Sequence, residues 1–319
     1  MLIENPKTYK GTDAENIFFR PLFSGQNAKD LGIRVIYNMP MPTTVQVWTQ
    51  QNNVLQSFEC GWNGGTNALK QQKTIDMHKV KAECNFAAED YFSLIFEKIV
   101  TDGSVNMGDL TGTELEKAET ELFRQAIAEG VRSTMWIGDV DGELSELKTF
   151  NGFLRNILDV IDNVPYGRIT SEDDIPLASD IFKDCWNNAS AELKALRSGG
   201  ELVYFVSSDI YNNFIEELAA NCNDISVFNT SDVYHNLNFR GIPIVEVPLK
   251  GYQMNTCSTF CLLTDRRNLV LALNTADMPE NEVRMWYNPD EMQNRQRAVF
   301  LAGADVIDEK LVSICYSTF

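Results

Sequence analysis

Thr113 to Gly142, TELEKAETELFRQAIAEGVRSTMWIGDVDG, constrains this chain more than any other stretch. Thr113, with Glu116 three residues on, matches the reciprocal capping box that opens many helices. Glu114 and Glu116 place negative charge at the positive end of the helix dipole. Leu115, Ala118, Leu122, Ala126 and Ile127 recur at three- and four-residue spacing, which predicts the buried face of an amphipathic helix. Lys117 with Glu121, and Glu129 with Arg132, are spaced to pair on its outer side. The helix is expected to run to Ile137, where Gly138, Asp139 and Gly142 supply turn chemistry. At roughly 1.5 Å per residue, about 25 residues make a rod of roughly 40 Å. A compact enzyme seldom needs one.

The 319 residues suffice for one large or two ordinary domains. Apolar runs such as Leu202 to Val206 are strand-length, far short of a membrane span, so no membrane partner is expected. MLIENPKTYK lacks the pattern of a secretory signal, and the chain is expected to fold in a cytoplasm. Seven cysteines at irregular spacing, without a CxxC pair, predict reduced and partly buried thiols. The net charge of −18 disfavours direct nucleic-acid binding, which needs cations to replace condensed counterions.

Residues 1–32 show neither helical nor strand periodicity, yet Phe18, Phe19, Leu22 and Phe23 crowd around Arg20 and Pro21. Such a segment needs a surface to lie against, either its own domain or a neighbouring subunit. From Ile33 to Cys84 the pattern is β-like but poor in core residues. Val45 and Val47 alternate with polar positions, and Gly61 to Asn67 reads as a glycine-rich tip. In TIDMHKVKAEC the apolar phase flips near His78 and Lys79, as a bend requires. Two long polar strands cannot stand alone in water, and extending over another subunit would solve that.

Phe92, Ile95, Phe96 and Ile99 predict a short helix, and TFNGFLRNILDVID a second apolar segment after the long one. Roughly Ser179 to Ala276 reads as a compact α+β unit. One helix is striped by Phe182, Cys185, Trp186, Ala189, Leu193 and Leu196, and another carries Ile210, Phe214, Leu218 and Cys222 inward. Strands are expected at Leu202 to Val206, Ile225 to Phe228, Ile242 to Val247, Phe260 to Thr264 and Leu269 to Asn274. A hairpin of Val283 to Tyr287 with Ala298 to Ala302 and a last strand from Leu311 to Tyr316 close the chain. The buried stripe of the long helix is expected to face that hairpin, so that Leu122→Asp abolishes folding.

The chain contains no Walker A loop, GxGxxG, GxSxG or HExxH motif. His78 and His235 read as strand or loop residues, and Asp139, Asp141 and Glu143 as a helix-ending turn, because the calcium-loop positions hold Leu144 and Phe150. Gly61 to Gly65 reads as a flexible tip, since no helix start follows for a phosphate cradle. Arg266, Arg267, Arg284, Arg295 and Arg297 form a basic cluster balanced by nearby acids, for which salt bridging within or between subunits is the expectation. Trp136 is expected in the core, while Trp48 and Trp62 are open between core and interface. No catalytic, cofactor-binding or metal-binding residue is assigned.

The order of features resembles the major capsid proteins of tailed bacteriophages, the Hong Kong 97-type fold. VKAECNFAAEDYFSLIFE looks like that family's strand and short helix before its spine helix. AIAEGVRSTMWIGDVDG followed by FNGFLRNI is similar to the spine-helix exit. ELVYFVSSDIYNNFIEEL resembles the first sheet strand and following helix of its axial domain, NFRGIPIVEVP its Gly-x-Pro-Val strand, TFCLLTDRRNLVLAL the strand leading back out of that domain, and RAVFLAGADVIDEKLVSICY its hairpin strand and final axial-domain strand. Two departures are Ala304-Asp305 after Gly303, and Thr264-Asp265 at a strand end. No long charged helical segment precedes the arm, so scaffolding is expected from a separate protein or the sequence from a mature form.

The resemblance implies an α+β chain laid out as an N-terminal arm (1–32), an extended β-hairpin loop (33–85) and a peripheral domain (86–151) with its spine helix at 113–137. An axial domain (152–265), a peripheral hairpin (266–303) and a final strand returning to the axial domain (304–319) would follow. It implies self-assembly through hexamers and pentamers into an icosahedral head. Separate scaffolding and portal proteins would assist, and DNA would be enclosed without sequence-specific binding. The site would be the virion capsid, assembled in the bacterial host cytoplasm. Phe18, Phe19, Arg20, Phe23, Trp48, Trp62, Lys70 and Lys73 are the expected subunit-interface residues. Some relatives crosslink through a lysine in the extension; Lys70 and Lys73 lie in that region, without a motif for the chemistry. The alternatives are an encapsulin-like nanocompartment shell and a monomeric accessory virion or binding module, with an enzyme a further class.

Overall fold

A computed structural model describes residues 7–10, 31–37, 43–48, 60, 70–87, 114–142, 144–169, 177–221, 237–247, 249, 259–274, 282–288, 290–291 and 293–317. The strands are β1 (Lys7–Lys10), β2 (Arg34–Tyr37), β3 (Thr43–Trp48), β4 (Lys70–Ile75), β5 (His78–Ala87), β6 (Tyr166–Arg168) and β7 (Leu202–Ser207). There follow β8 (Asn238–Phe239), β9 (Ile242–Val247), β10 (Thr259–Asp265), β11 (Leu269–Asn274), β12 (Glu282–Asn288), β13 (Gln293–Val306) and β14 (Val312–Ser317). The α-helices are α1 (Glu114–Ile137), α2 (Phe153–Asp159), α3 (Ala178–Asn188), α4 (Ala191–Ala195) and α5 (Ser208–Asn221).

One sheet runs β1-β12-β13-β11-β2, with β5 on the other side of β13. The expected tail hairpin is its centre, but the return strand starts at Gln293 and the register runs Val283↔Ala298 to Asn288↔Gln293, so of the expected Ala298–Ala302 only Ala298 faces β12. Because side chains alternate along a strand, β13 feeds two cores. Ala298, Phe300, Ala302 and Ala304 join the largest one with Phe123, Ile127, Val131 and Met135 of α1. Leu301, on the opposite face, packs with Val270 and Ala272 of β11 and with Val45, Ile75 and Met77. The long helix therefore lies over the hairpin, and the Thr120 hydroxyl donates to the Met285 sulfur at 3.8 Å.

The buried stripe is nevertheless one residue out of step with the expectation. Leu122 is 49% exposed and Ala126 is exposed, whereas Phe123 is 2% exposed. Ile127 belongs to both possible stripes; Phe123, with the larger apolar area to bury, sets the helix rotation and turns Leu122 to solvent. On the outer face Glu121 pairs with Arg124 and accepts from Gln125 Nε2 at 3.3 Å.

The second sheet runs β6-β14-β10-β7-β9-β8, with α3 and α5 contributing to the core on one face. All six residues of β7 are buried, as in a strand covered on both sides. Leu269–Asn274, grouped with this unit by its apolar pattern but placed in the peripheral segment 266–303 by the resemblance, is β11, paired antiparallel with β13 and parallel with β2 in the first sheet. The helix expected to span Phe182 to Leu196 is two, broken at Ala189, with Ser190 Oγ accepting from the Leu193 N–H at 3.1 Å. Lys7–Lys10 is a strand where none was expected: KTYK is a polar strand paired with β12, and pairing there needs no apolar alternation.

The expected helix near Phe92–Ile99, the strand at Ile225–Phe228, the glycine-rich tip, the Thr113 cap, Cys222 and His235 lie outside the described residues.

Trp136 joins the two sheets. It is fully buried, its ring 5.4 Å from that of Phe153, 5.1 Å from Phe205 and 6.1 Å from Phe260. The helix can end there because Gly138 lets the backbone close: a Cβ would collide with the Phe150 and Thr134 carbonyls. The Gly152 N–H donates to the Gly138 carbonyl at 2.9 Å, and Asp139 and Gly142 complete the expected turn.

Candidate assembly surfaces

Four of the expected interface residues, Phe18, Phe19, Arg20 and Phe23, lie outside the described residues, as does Trp62. Trp48 and Lys70 are cross-strand partners at one end of the β3–β4 ribbon. That ribbon is a separate two-stranded sheet, as the polar pattern of its strands anticipates.

Its root is anchored in this chain. Val45, Ile75 and Met77 pack on Val270, Ala272 and Leu301. The chain bends after Ile75 and resumes as β5 at His78, now paired with β13. Gly303 makes the crossing feasible, since a Cβ there would strike the Asp76 carbonyl. Lys73, predicted at an interface, forms ion pairs within its own chain, at 3.3 Å to Asp305 and 3.7 Å to Glu309. Burial pushes the Asp305 carboxyl above its usual range, against the opposing pull of Lys73.

On the solvent side of the first sheet, beyond the ribbon root, β5, β13 and β12 present two transverse rows. Asn85, Arg295 and Trp286 form one, and Glu83, Arg297 and Arg284 the next. Arg284 and Arg297 are directly opposed, an arrangement that ordinarily destabilises a sheet. Trp286 offsets it by taking both guanidinium groups against its ring, at 5.6 and 5.9 Å. Arg295 pairs with Glu291, and elsewhere Arg267 with Asp265, as the expected salt bridging requires, while Lys81 pairs with Glu83. A cleft of about 390 Å³ opens here, lined by Glu83, Cys84, Asn85, Trp286, Arg295 and Gln296. The arginines were visible in the sequence; Trp286 was not singled out, although its period-two spacing from Arg284 was the available signal.

No family model matches the chain, and no curated protein does. Solved structures do. A chain of the satellite phage P4 procapsid including size determination (Sid) protein superposes with a TM-score of 0.57 at 10% identity, over 91% of this chain and 87% of that one. A chain of Gordonia phage Cozz gives 0.53 at 11% identity, over 92% and 86%. The capsid of an empty GTA particle gives 0.51 at 13% identity, over 90% and 87%. This is a phage capsid fold.

Three buried thiols of the capsid fold, Cys185, Cys261 and Cys315, cluster between α3 and the second sheet. Cys185 Sγ lies 3.3 Å from the Ser313 carbonyl and 3.8 Å from that of Cys261. Burial pushes the Cys185 and Cys261 thiols up; for Cys315 the neighbouring Cys185 is the larger cause and burial the second. They are held protonated, as core groups and not nucleophiles. Among the described residues no group of side chains could hold a metal ion, and no helix is long and apolar enough to cross a membrane.

Proposed function

We propose that the chain is a major capsid subunit that self-assembles through hexamers and pentamers into an icosahedral phage or prophage head enclosing DNA. The observation that carries this reading is the likeness to the P4 procapsid chain along nearly the full length of both partners. A long helix that packs on one sheet and ends in the core of the other, with a polar ribbon paired into neither and anchored only at its root, suits a thin plate-like subunit better than a pocketed enzyme.

On this reading the fold is of the Hong Kong 97 type. The arm is 1–32, the extension 33–85, the peripheral domain 86–151 with 266–303, and the axial domain 152–265 with 304–319. Phe18, Phe19, Arg20, Phe23, Trp48, Trp62 and Lys70 face neighbouring copies. Lys73 lies at the extension's root and contributes to holding its angle. Separate scaffolding and portal proteins assist assembly, which takes place in the host cytoplasm, and the product is the virion capsid.

The test is electron microscopy and light scattering of the purified full chain over a range of salt and concentration. Capsomers or shells are expected. A monomer under every condition would overturn the reading.

A further inference from the structure

The turn between β8 and β9 is the one place among the described residues where a residue other than glycine takes a left-handed backbone: Arg240 has φ 52°, followed by Gly241 at 81°. A two-residue hairpin loop with positive φ at both positions is ordinarily built from Asn and Gly, and arginine there is strained. The Arg240 guanidinium lies over the Phe239 ring at 5.3 Å. Beside it Arg197 stacks on Trp186 at 5.5 Å and donates to the Arg240 carbonyl.

Both arginines are exposed, and among the described residues neither forms an ion pair, whereas Lys183 and Arg267 are paired with Asp180 and Asp265. Stacking holds each guanidinium plane in place with its edge free for a carboxylate or phosphate. Gly199, two residues past Arg197, is held to glycine neither by its backbone nor by its neighbours, since an added Cβ would meet open space. Such a bare site lets another backbone come close.

The complementary charge stands at the other end of the same sheet. Asp209 accepts from the Thr259 hydroxyl at 3.0 Å and Glu246 from the Ser208 hydroxyl at 2.6 Å. Among the described residues neither carboxylate has a cation partner. β7 and β9 are parallel neighbours, so both arginines precede their strands and both carboxylates lie at the strand ends. Six residues at about 3.3 Å each set the two poles roughly 20 Å apart, and an ion pair needs about 4 Å. One chain cannot join them. Unlike patches at opposite ends of a subunit make a head-to-tail contact, which closes into rings. Nucleic acid fits the arginines less well: the net charge is −18, and the guanidinium groups lie over the rings on which bases would stack.

We infer that the Arg197–Arg240 pole of one copy docks on the Asp209–Glu246 pole of the next. This rests on the shell-forming reading and names a contact between neighbours within it.

The experiment is a double-mutant cycle in the full chain: Arg197→Gln with Arg240→Gly, Asp209→Asn with Glu246→Gln, and all four together. Circular dichroism and thermal melting establish folding, and Arg240→Gly alone should melt no lower than wild type because it removes the left-handed strain. Light scattering and sedimentation give the concentration at which assembly begins. Each pair is expected to raise that concentration about tenfold, and the fourfold variant no further than the weaker pair alone, because the pairs remove one shared contact. The acidic pair is the sharper arm, since removing negative charge from so acidic a subunit would otherwise ease association. Should that pair fail to fold, Glu246→Gln against Arg240→Gly makes the same cycle. An acidic variant that assembles at or below the wild-type concentration, or a fourfold variant shifted by the product of the two pairs, would overturn the inference and leave the shell reading standing. A wild-type chain that never assembles would overturn both. Binding of a labelled single-stranded oligonucleotide that is lost in the arginine variant, with assembly unchanged, would reassign the arginines to nucleic acid and overturn the docking.

Discussion

Around Trp136 the chain closes on itself from all sides. Phe153 comes from α2, Phe205 from β7 and Phe260 from β10, so four elements distant in sequence meet at one indole. The root of the β3–β4 ribbon is built otherwise. A few aliphatic side chains and an ion-paired lysine tie a narrow polar ladder to a large body, and past Val45 and Ile75 it has no second layer among the described residues. The first region resists change because every partner is buried; the second is held at a point. The difference is one of redundancy, and it sets which damage stays local.

The sharpest break of this comparison is Trp136→Ala. Removing that ring should cost about 3–5 kcal/mol and lower the whole unfolding transition, read by urea denaturation at 280 nm and far-ultraviolet dichroism together. Ile75→Ala removes an equally buried side chain from the ribbon root and should cost about 2–5 kcal/mol. Its loss should be local, seen as faster proteolysis within β3–β4 while the transition of the body holds. If both variants lower the global transition equally, the ribbon is not a separate unit.

Phe123→Ala and Leu122→Asp test the helix rotation. The first should cost about 3–5 kcal/mol and the second no more than about 0.5 kcal/mol, since one side chain is buried and its neighbour half in water. The reverse order in a thermal melt would restore the stripe expected from sequence.

The smallest effect is expected at Asp305. Its carboxyl binds a proton more tightly in the folded state than in the unfolded chain, so stability falls as pH rises from the ordinary carboxylate pKa through the raised one. Asp305→Asn keeps an acceptor for the Val306 N–H and should flatten that slope, melting no lower than wild type at neutral pH. A variant that melts lower at pH 7 than at pH 4, relative to wild type, would mean that the Lys73 pair outweighs the burial.

Where one face of an element is buried, the sequence spoke plainly. The tail hairpin, the all-apolar β7, the helix end at Ile137 and the phase flip near His78 were legible because alternation or its absence reports burial directly. Leu122 was misread because two stripes a residue apart share Ile127, and periodicity alone does not weigh a phenylalanine against a leucine. The apolar pattern alone grouped β11 with the second sheet, because such a run says that a strand is buried, not beside which strand. The Arg–Trp platform needed the register. Arg284 and Arg297 are thirteen positions apart and become neighbours only when β12 folds back on β13.

β13 is fourteen residues long and is gripped on its two edges by β5, β12 and β11 in turn. Tension applied at the hairpin tip runs along the strand axis, so its cross-strand bonds are loaded in shear and must fail together, not one after another. Past Val306 the Ile307 N–H donates to the Asn268 carbonyl, and the Asn268 amide nitrogen donates to the Asp308 carbonyl, handing the load to the strands of the second sheet. A container wall under pressure from within would draw on that continuous girder more than on any one buried side chain.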